Sequence, residues 1–354
     1  MKSIVPIVTI NFNGRNDTLA LVKSLNDSNE SYYLVIVDNK SPKEGEFNSL
    51  KKDIESFYKK SFIDEKIDPS LCEKGYFLDI DENKKISLLL SLDNGGFSKG
   101  TNIGLKHALK RYPDCKYISI LNNDTEVEKD FISKIIEVLD EDENKAAGMG
   151  TIYYYGQKEP YIWSIGGYPV WKKGQCEHVH KDEIMNESIK GNQKYVERGF
   201  VSGCFTVFKT EKLKEIGFLD EDYFFAGEEY QYSVDLCKKY KLVWVPESVI
   251  YHKSILNVGN GSSHKINSIE WQYSAYRTKC VFINKNKKFI FRCAWKLMIK
   301  HHLAHKTKQR LISTGVCNEK QFKYFFKSIK KHINDKKYLA SEFQDFKEDA
   351  LNLD

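Results

Sequence analysis

Apolar residues in the first third of the chain come in short unbroken runs separated by amphipathic stretches. Residues 3–12 (SIVPIVTINF) and 32–39 (YYLVIVDN) are apolar almost throughout, the pattern of parallel strands covered on both faces. Between them, residues 17–28 place Leu19, Val22 and Leu25 on one side of a helix that starts near Asp17. Residues 40–85 are charged and irregular, with one helical stretch at 47–60 and loop after it. Residues 86–96 restore a strand that ends in a glycine turn, and 97–113 form a helix stopped by Pro113. Residues 117–124 (YISILNND) form a further strand, leading into a helix-like segment.

Strand and helix in alternation predict an α/β fold with an open, mostly parallel sheet flanked by helices. Ligands bind such sheets beyond the carboxyl ends of the strands. Three predicted strands end in Asn or Asp there: NFNG at 11–14, VDNKS at 37–41 and LNNDT at 121–125. A single polar ending is a turn signal; three on one sheet edge form a candidate site.

After Ala146 the texture changes to aromatics and glycine, as in TIYYYGQKEPYIWSIGGYPVW at 151–171. Strands are expected at 200–208 and 242–252, and helices at 210–217 and 227–240. Beyond about residue 261 the chain reads as helices, at 268–286 and 289–305, followed by a Lys-rich tail. This divides the chain into a catalytic domain over 1–260, with halves 1–125 and 126–260, and a basic helical extension over 261–354.

The 354 residues, 41% of them hydrophobic, suffice for a large core. No run of eighteen apolar residues occurs, so a membrane span is not expected. The first apolar stretch lacks a basic leader and a cleavage site, and reads as a strand, not a signal peptide. Eight cysteines without a C-x-x-C pair fit reduced thiols in a cytoplasm, not a disulfide frame or zinc site. The net charge of +6 is uneven, because residues 271–310 contain no acid at all. That stretch points to an anionic partner: a membrane surface, a phosphorylated lipid or nucleic acid.

Asp124 reads two ways. It is either a cap or turn residue, or a hard ligand for Mg²⁺ or Mn²⁺, ions that keep few protein ligands and bridge phosphates. The motif around it, LNNDT, resembles the D-x-D signature of nucleotide-sugar glycosyltransferases with the GT-A (Rossmann-like) fold. It is similar in particular to the family 2 inverting enzymes, rhamnosyltransferase-like members included. VTINFNG, VIVDNKS and DNGGFSKGTNIGL resemble further segments of that family in the same order. The stretch from Val201 to His252 resembles its G-F-D-E-x-F-F, G-E-D and V-x-H features.

The resemblance implies roles for individual residues. Asp38 would accept a hydrogen bond from a pyrimidine or ribose, with Thr9, Asn11 and Asn13 on the adjacent tip; its other reading is a turn-opener with Asn39 and Ser41. Asn94, Gly95 and Gly96 would let the backbone approach the nucleoside, and Asn102 belongs to the same segment. Asn122 and Asn123 would flank the diphosphate. Asp124 and His252 would hold Mn²⁺ or Mg²⁺, with Asn122 standing where relatives carry another Asp. Glu229 would be the general base, a longer side chain than the family's Asp, with Glu228 beside it. Trp163, Tyr168, Trp171 and Glu228 are the candidate acceptor contacts, the aromatics by stacking unless they simply pack.

The implied activity is a metal-dependent, inverting transfer of a sugar from a UDP- or dTDP-sugar to a glycan or lipid-linked acceptor, in surface polysaccharide synthesis. It would take place in the cytoplasm, at the inner membrane face if the C-terminal helices bind anionic lipid. A sugar nucleotidyltransferase is a second class, but its glycine-rich basic loop is missing from NFNGRND. A basic RNA- or membrane-binding adaptor is a third; no nucleic-acid module supports RNA binding.

Overall fold

The unbroken apolar runs become neighbouring parallel strands, as their two-sided hydrophobicity requires. In the computed structural model, which describes residues 3–254 and 268–353, strand β1 (Val5–Asn11) pairs with β2 (Tyr32–Asp38) over its full length. From Tyr32 to Val37 every side chain is inaccessible to solvent. Burying an apolar side chain of this size contributes about 1.5–3 kcal/mol relative to exposure.

Helix α1 (Arg15–Asn26) joins these strands, burying Leu21, Val22 and Leu25. After β2 come α2 (Glu46–Tyr58), the short β3 (Ile63–Asp64), β4 (Cys72–Asp79), β5 (Lys84–Ser91), α3 (Gly96–Arg111) and β6 (Tyr117–Leu121). The loop expected before residue 85 thus contains an antiparallel strand, β4, whose burial does not alternate and whose register shifts between Cys72 and Lys74, so it left no period-two signal. Helix α3 lies close on β1 because Gly104 has no Cβ; one would stand 2.4 Å from Val8 Cγ1.

Residues 125–127 are not helical. They form β7 (Thr125–Val127), antiparallel to the end of a much later strand. Next are α4 (Ser133–Leu139), β8 (Lys145–Tyr154), β9 (Ile162–Ser164), and a separate hairpin of β10 (Gly167–Val170) and β11 (Gln175–His178). Then follow α5 (Glu187–Lys190), β12 (Val196–Arg198), β13 (Phe205–Lys209), α6 (Thr210–Ile216), α7 (Glu228–Cys237) and β14 (Lys241–His252). Pro246 cannot donate to a ladder, and the β14–β8 register slips there, between Val245 and Val249.

The main sheet runs β12-β14-β8-β13-β6-β1-β2-β5-β4-β3, with β7 on β14 and β9 on β8. Strands β5, β2, β1 and β6 are mutually parallel, so their carboxyl ends share one edge. Strand β13 enters antiparallel between β6 and β8.

The C-terminal part is helical: α8 (Ile269–Asn286), α9 (Phe289–His302), a π-turn at Leu303–Thr307, α10 (Lys308–Ser313), α11 (Glu319–His332) and α12 (Ala340–Leu351). The Lys-rich tail is therefore folded, its α11 started by an Asn318–Gln321 capping box. The expected boundary at 260/261 lies outside the described residues. Among them, no helix is long and apolar enough to cross a membrane.

The C-terminal helices share a core with the loop before α7. Tyr223 packs with Tyr273, Tyr338 and Phe346, the Tyr273 and Phe346 rings stacking at 3.8 Å. At its edge lies a cavity of about 860 Å³ lined by Tyr273, His332 and Glu342 among others. His332, Asp335 and Glu342 offer three donor atoms within 4.8 Å of one another. Buried Arg277 binds Glu342 through Nε and Nη2, so its cation already occupies the role a metal would fill. This cluster is an ion-paired brace.

Candidate active site

Parallel pairing sets Asn11 opposite Asp38, and short polar side chains join the strand tips from there. Asn11 Nδ2 donates to Asp38 Oδ2 (2.7 Å), and Thr18 Oγ1 donates to Asn11 Oδ1 (2.8 Å). Asn123 Nδ2 donates to Thr18 Oγ1 (2.9 Å). The relay crosses from β2 through β1 and α1 to the loop after β6, ending beside Asp124. Asp38, Asn11 and Asn123, read separately from sequence, are therefore one network.

Asp38 is not a free acceptor. Its carboxylate is fully buried and also binds the Ser41 backbone N–H (2.8 Å) and Ser41 Oγ (3.0 Å). Burial raises its pKa, against these hydrogen bonds. Its observed work is to fix the turn, where Asn13, with φ 54°, donates its N–H to Ser41 Oγ (2.9 Å). Thr9 is buried with its hydroxyl unpartnered.

The Asn94–Gly96 turn is tied to the same edge by Asn39, which sequence reading gave only a turn role. Asn39 Nδ2 donates to Asn94 Oδ1 and to the Gly96 carbonyl, both at 2.9 Å. At Gly96 (φ 87°) a Cβ would stand 2.0 Å from the Phe224 carbonyl. The flank expected to approach a nucleoside is filled by protein, while Gly95 faces the Lys99 side chain. Asn102 is likewise internal: it donates to the Leu219 carbonyl (2.9 Å) and Glu221 Oε1 (2.8 Å), and accepts from the Leu219 N–H (3.0 Å).

Asp124 differs from Asp38 in reaching solvent, its side chain being 37% exposed. Because β7 follows it, the helix-cap reading falls away. The β7–β14 pairing sets His252 opposite Thr125 and brings His252 Nε2 to 3.1 Å from Asp124 Oδ1. Burial would raise the Asp124 pKa, but His252, a backbone N–H and Lys253 together outweigh it and the net shift is downward. Asp124 Oδ1, His252 Nδ1 and Asn122 Oδ1 are buried without a hydrogen-bond partner. An ionised carboxylate oxygen and an imidazole, with lone pairs unmatched by protein donors, fit a divalent cation.

Trp163 packs edge-on against His252 (4.4 Å between ring centroids) and lies under Lys181 Nζ (4.7 Å). It is a wall of the Asp124–His252 pair. Trp171 is a packing residue, stacked on Phe282 of α8 at 5.2 Å and covered by Lys287. Tyr168 is exposed, its hydroxyl donating to the Glu197 carbonyl (3.1 Å). Lys181 and Thr18 carried no spacing signal in the sequence.

Glu229 connects to the strand tips through β13's approach. The Asn122 N–H donates to the Cys204 carbonyl (2.8 Å), and a Cβ on Gly203 would stand 3.4 Å from Glu229 Cβ. Glu229 Oε2 accepts the Gly227 N–H (3.0 Å) at the start of α7. Both Glu228 and Glu229 have raised pKa values, burial being the main cause for each. Glu228 is raised further by the charge of Glu229 and hydrogen-bonds to it, a bond that holds Glu229 lower. Glu228 Oε2 is buried with no donor on it, as suits a carboxyl that carries the shared proton.

The structure thus brings Asp38, Asp124 and Glu229 to one sheet edge, with Asp38 beneath it. Residues 76–217 match the family model described as Glycosyl transferase family 2. No curated protein matches. Among solved structures, that of GalNAc-T7 with UDP, GalNAc and Mn²⁺ is similar, with a TM-score of 0.53, 16% identity and 80% of this chain covered. The alignment covers 51% of that structure, so this chain spans about half its length. The mannosyltransferase PcManGT from Pyrobaculum calidifontis in complex with GDP-Man and Mn²⁺ gives a TM-score of 0.49 at 10% identity, covering 99% and 88% of the two chains. S. aureus TarS 1–349 gives 0.46 at 13% identity, covering 85% and 72%. The fold is the GT-A architecture that the family resemblance implied.

Proposed function

We propose that this protein transfers a sugar, with inversion, from a nucleoside-diphosphate donor to a hydroxyl of a glycan or lipid-linked acceptor in surface polysaccharide synthesis. The observation that supports the reading is one acid–imidazole pair, Asp124 partly exposed and His252 buried, linked through Asn122, Cys204 and Gly203 to the Glu228–Glu229 carboxyl pair. The Asn11–Thr18–Asn123 relay supports it by locking the strand tips to the loop that holds Asp124.

In this reading the turn fixed by Asp38 and Asn39 seats the nucleoside, a UDP or dTDP moiety, and Asn122 and Asn123 border the diphosphate. Asp124 and His252 would hold Mn²⁺ or Mg²⁺, which supplies charge neutralisation on the departing diphosphate. The Mn²⁺ in the GalNAc-T7 structure accords with such an ion. Glu229 takes the proton from the acceptor hydroxyl. The new oxygen–carbon bond forms at the anomeric carbon while the carbon–oxygen bond to diphosphate breaks on the opposite face, which inverts the centre. The hydrogen bond from Glu228 lowers the Glu229 pKa against the rise that burial causes. Tyr168 is the aromatic left free to meet an acceptor.

The test is a panel of UDP-, dTDP- and GDP-sugars, each assayed for hydrolysis and binding with Mn²⁺, Mg²⁺ or chelator. One nucleotide class should bind and turn over slowly, with metal. If none binds with either metal, the reading fails.

A further inference from the structure

Helix α9 is amphipathic in the wrong sense for a helix surrounded by water. Its inner stripe is Trp295 and Ile299, which join the C-terminal core. The opposite stripe, spaced three and four apart at 290, 293, 294, 297 and 301, is exposed and mostly apolar. Ile290 is 83% exposed and Leu297 69%, with Phe289, Phe291 and Met298 open beside them. Exposed apolar residues grouped in this way mark an interaction surface.

The charge around the stripe selects the partner. Lys288, Arg292, Lys296 and Lys300 belong to the acid-free stretch of the sequence. Among the described residues none of them meets a carboxylate: Lys296 bonds Asn334 Oδ1 (2.7 Å), and Arg292 reaches only the Asn284 carbonyl (3.4 Å). A second copy docking through this face would bring one acid-free basic set against another, with no carboxylate from residues 271–310 to offset it, so a symmetric dimer is disfavoured. A bilayer with anionic headgroups answers both features, taking the apolar stripe among its acyl chains and the ammonium groups among its phosphates.

We infer that α9 lies in the surface of an anionic membrane, apolar stripe inward, and seats the protein there. The helix is rigidly coupled to the wall of the candidate site. Trp295 Nε1 donates to the Lys172 carbonyl (3.0 Å), and a Cβ on Gly174 would stand 2.7 Å from Trp295 Cζ2. Both residues lie in the turn between β10 and β11, and β11 ends at His178, whose ring packs on Trp163 (5.5 Å between centroids). Seating α9 therefore orients the site towards the bilayer. The inference is independent of sugar transfer, since binding is read without donor.

The full-length protein is sedimented with vesicles of phosphatidylcholine alone or with phosphatidylglycerol. Binding should require the anionic lipid and weaken with salt. The Ile290→Glu/Leu297→Glu pair should lower partitioning at least about tenfold with an unchanged melting temperature, since both residues already face water. Exposed Cys293, labelled with an environment-sensitive fluorophore in a Cys237→Ser background, should shift to the blue on anionic vesicles. Absence of binding to anionic vesicles overturns the inference. So does undiminished binding by the double variant, or a dimer in solution that the double variant abolishes.

Discussion

Glu229→Gln keeps the side chain's size and an oxygen able to accept the Gly227 N–H, now at 3.0 Å. The start of α7 therefore stays built, and only the proton acceptor is lost. A positioned general base contributes about a hundredfold to ten-thousandfold in rate, or about 3–5 kcal/mol of barrier. Glu229 touches Gly203 and lies outside the tip relay and the Asp124–His252 pair. Donor affinity, measured by calorimetry, should stay at the wild-type value while transfer collapses. The pH profile tests the same geometry. Burial raises the Glu229 pKa above its usual 4.5, and a base works only when ionised. Turnover should fall as pH drops through that raised value, earlier than for a solvated glutamate. Glu228→Leu removes a hydrogen bond that holds Glu229 down, so the acid limb should move to still higher pH. Glu228→Gln keeps an amide donor and should move it less. Transfer by Glu229→Gln at the wild-type rate, or an acid limb indifferent to Glu228→Leu, would refute the assignment.

Three further perturbations follow from the packing. Asp124→Asn removes the ionised oxygen beside His252, so metal-dependent donor binding should weaken by at least tenfold (about 1.4 kcal/mol), and chelator should then change it no further; calorimetry with and without Mn²⁺ reads this. Gly96→Ala puts a methyl 2.0 Å from the Phe224 carbonyl at φ 87°; left-handed backbone alone costs about 1–2 kcal/mol, so a denaturant midpoint equal to wild type would contradict the described turn. Arg277→Leu takes the buried cation from Glu342 and leaves it the Tyr273 hydroxyl (2.6 Å), a loss of up to about 3–5 kcal/mol, and adding Glu342→Leu should recover part of it in a double-mutant cycle.

The sheet was legible because its signal is local: unbroken apolar runs such as Tyr32–Val37 have few alternatives to a buried parallel strand. The polar tips were legible as positions but not as partners. Asp38 and Asp124 look alike in sequence, each a carboxylate after an apolar run. Their difference is tertiary, since Ser41 and Asn11 saturate the first while His252, 128 positions away, opens the second to the site. Gly96 and Asn102 were assigned to the ligand and instead hold the Leu219–Phe224 loop, whose identity no spacing reveals. Trp171 could be read as an acceptor platform or as a packing residue, and its ring face stacks on Phe282 of α8.

That last contact bears on how the chain divides. Glu229, the proposed base, lies two positions after a pair of consecutive left-handed residues, Ala226 (φ 63°) and Gly227 (φ 89°). An alanine in that region is strained by about 1–2 kcal/mol, so something outside the loop must hold it. Thr278 of α8 does so, donating its hydroxyl to the Ala226 carbonyl (2.9 Å), while its methyl sits where a Cβ on Gly227 would be, 2.1 Å away. Tyr338 grips the loop from the other side: its N–H donates to the Asp222 carbonyl (2.7 Å), and its carbonyl accepts the Phe224 N–H (2.8 Å). Lys285 adds an ammonium beside Asp222 (2.6 Å). The geometry of Glu229 thus depends on helices that sequence texture sets apart from the catalytic half. Cutting the chain after residue 260 would remove the groups that keep Ala226 strained and would expose Tyr223. The strand tips make none of these contacts, so the cut should leave them in place while Glu229, the proposed proton acceptor, loses its support.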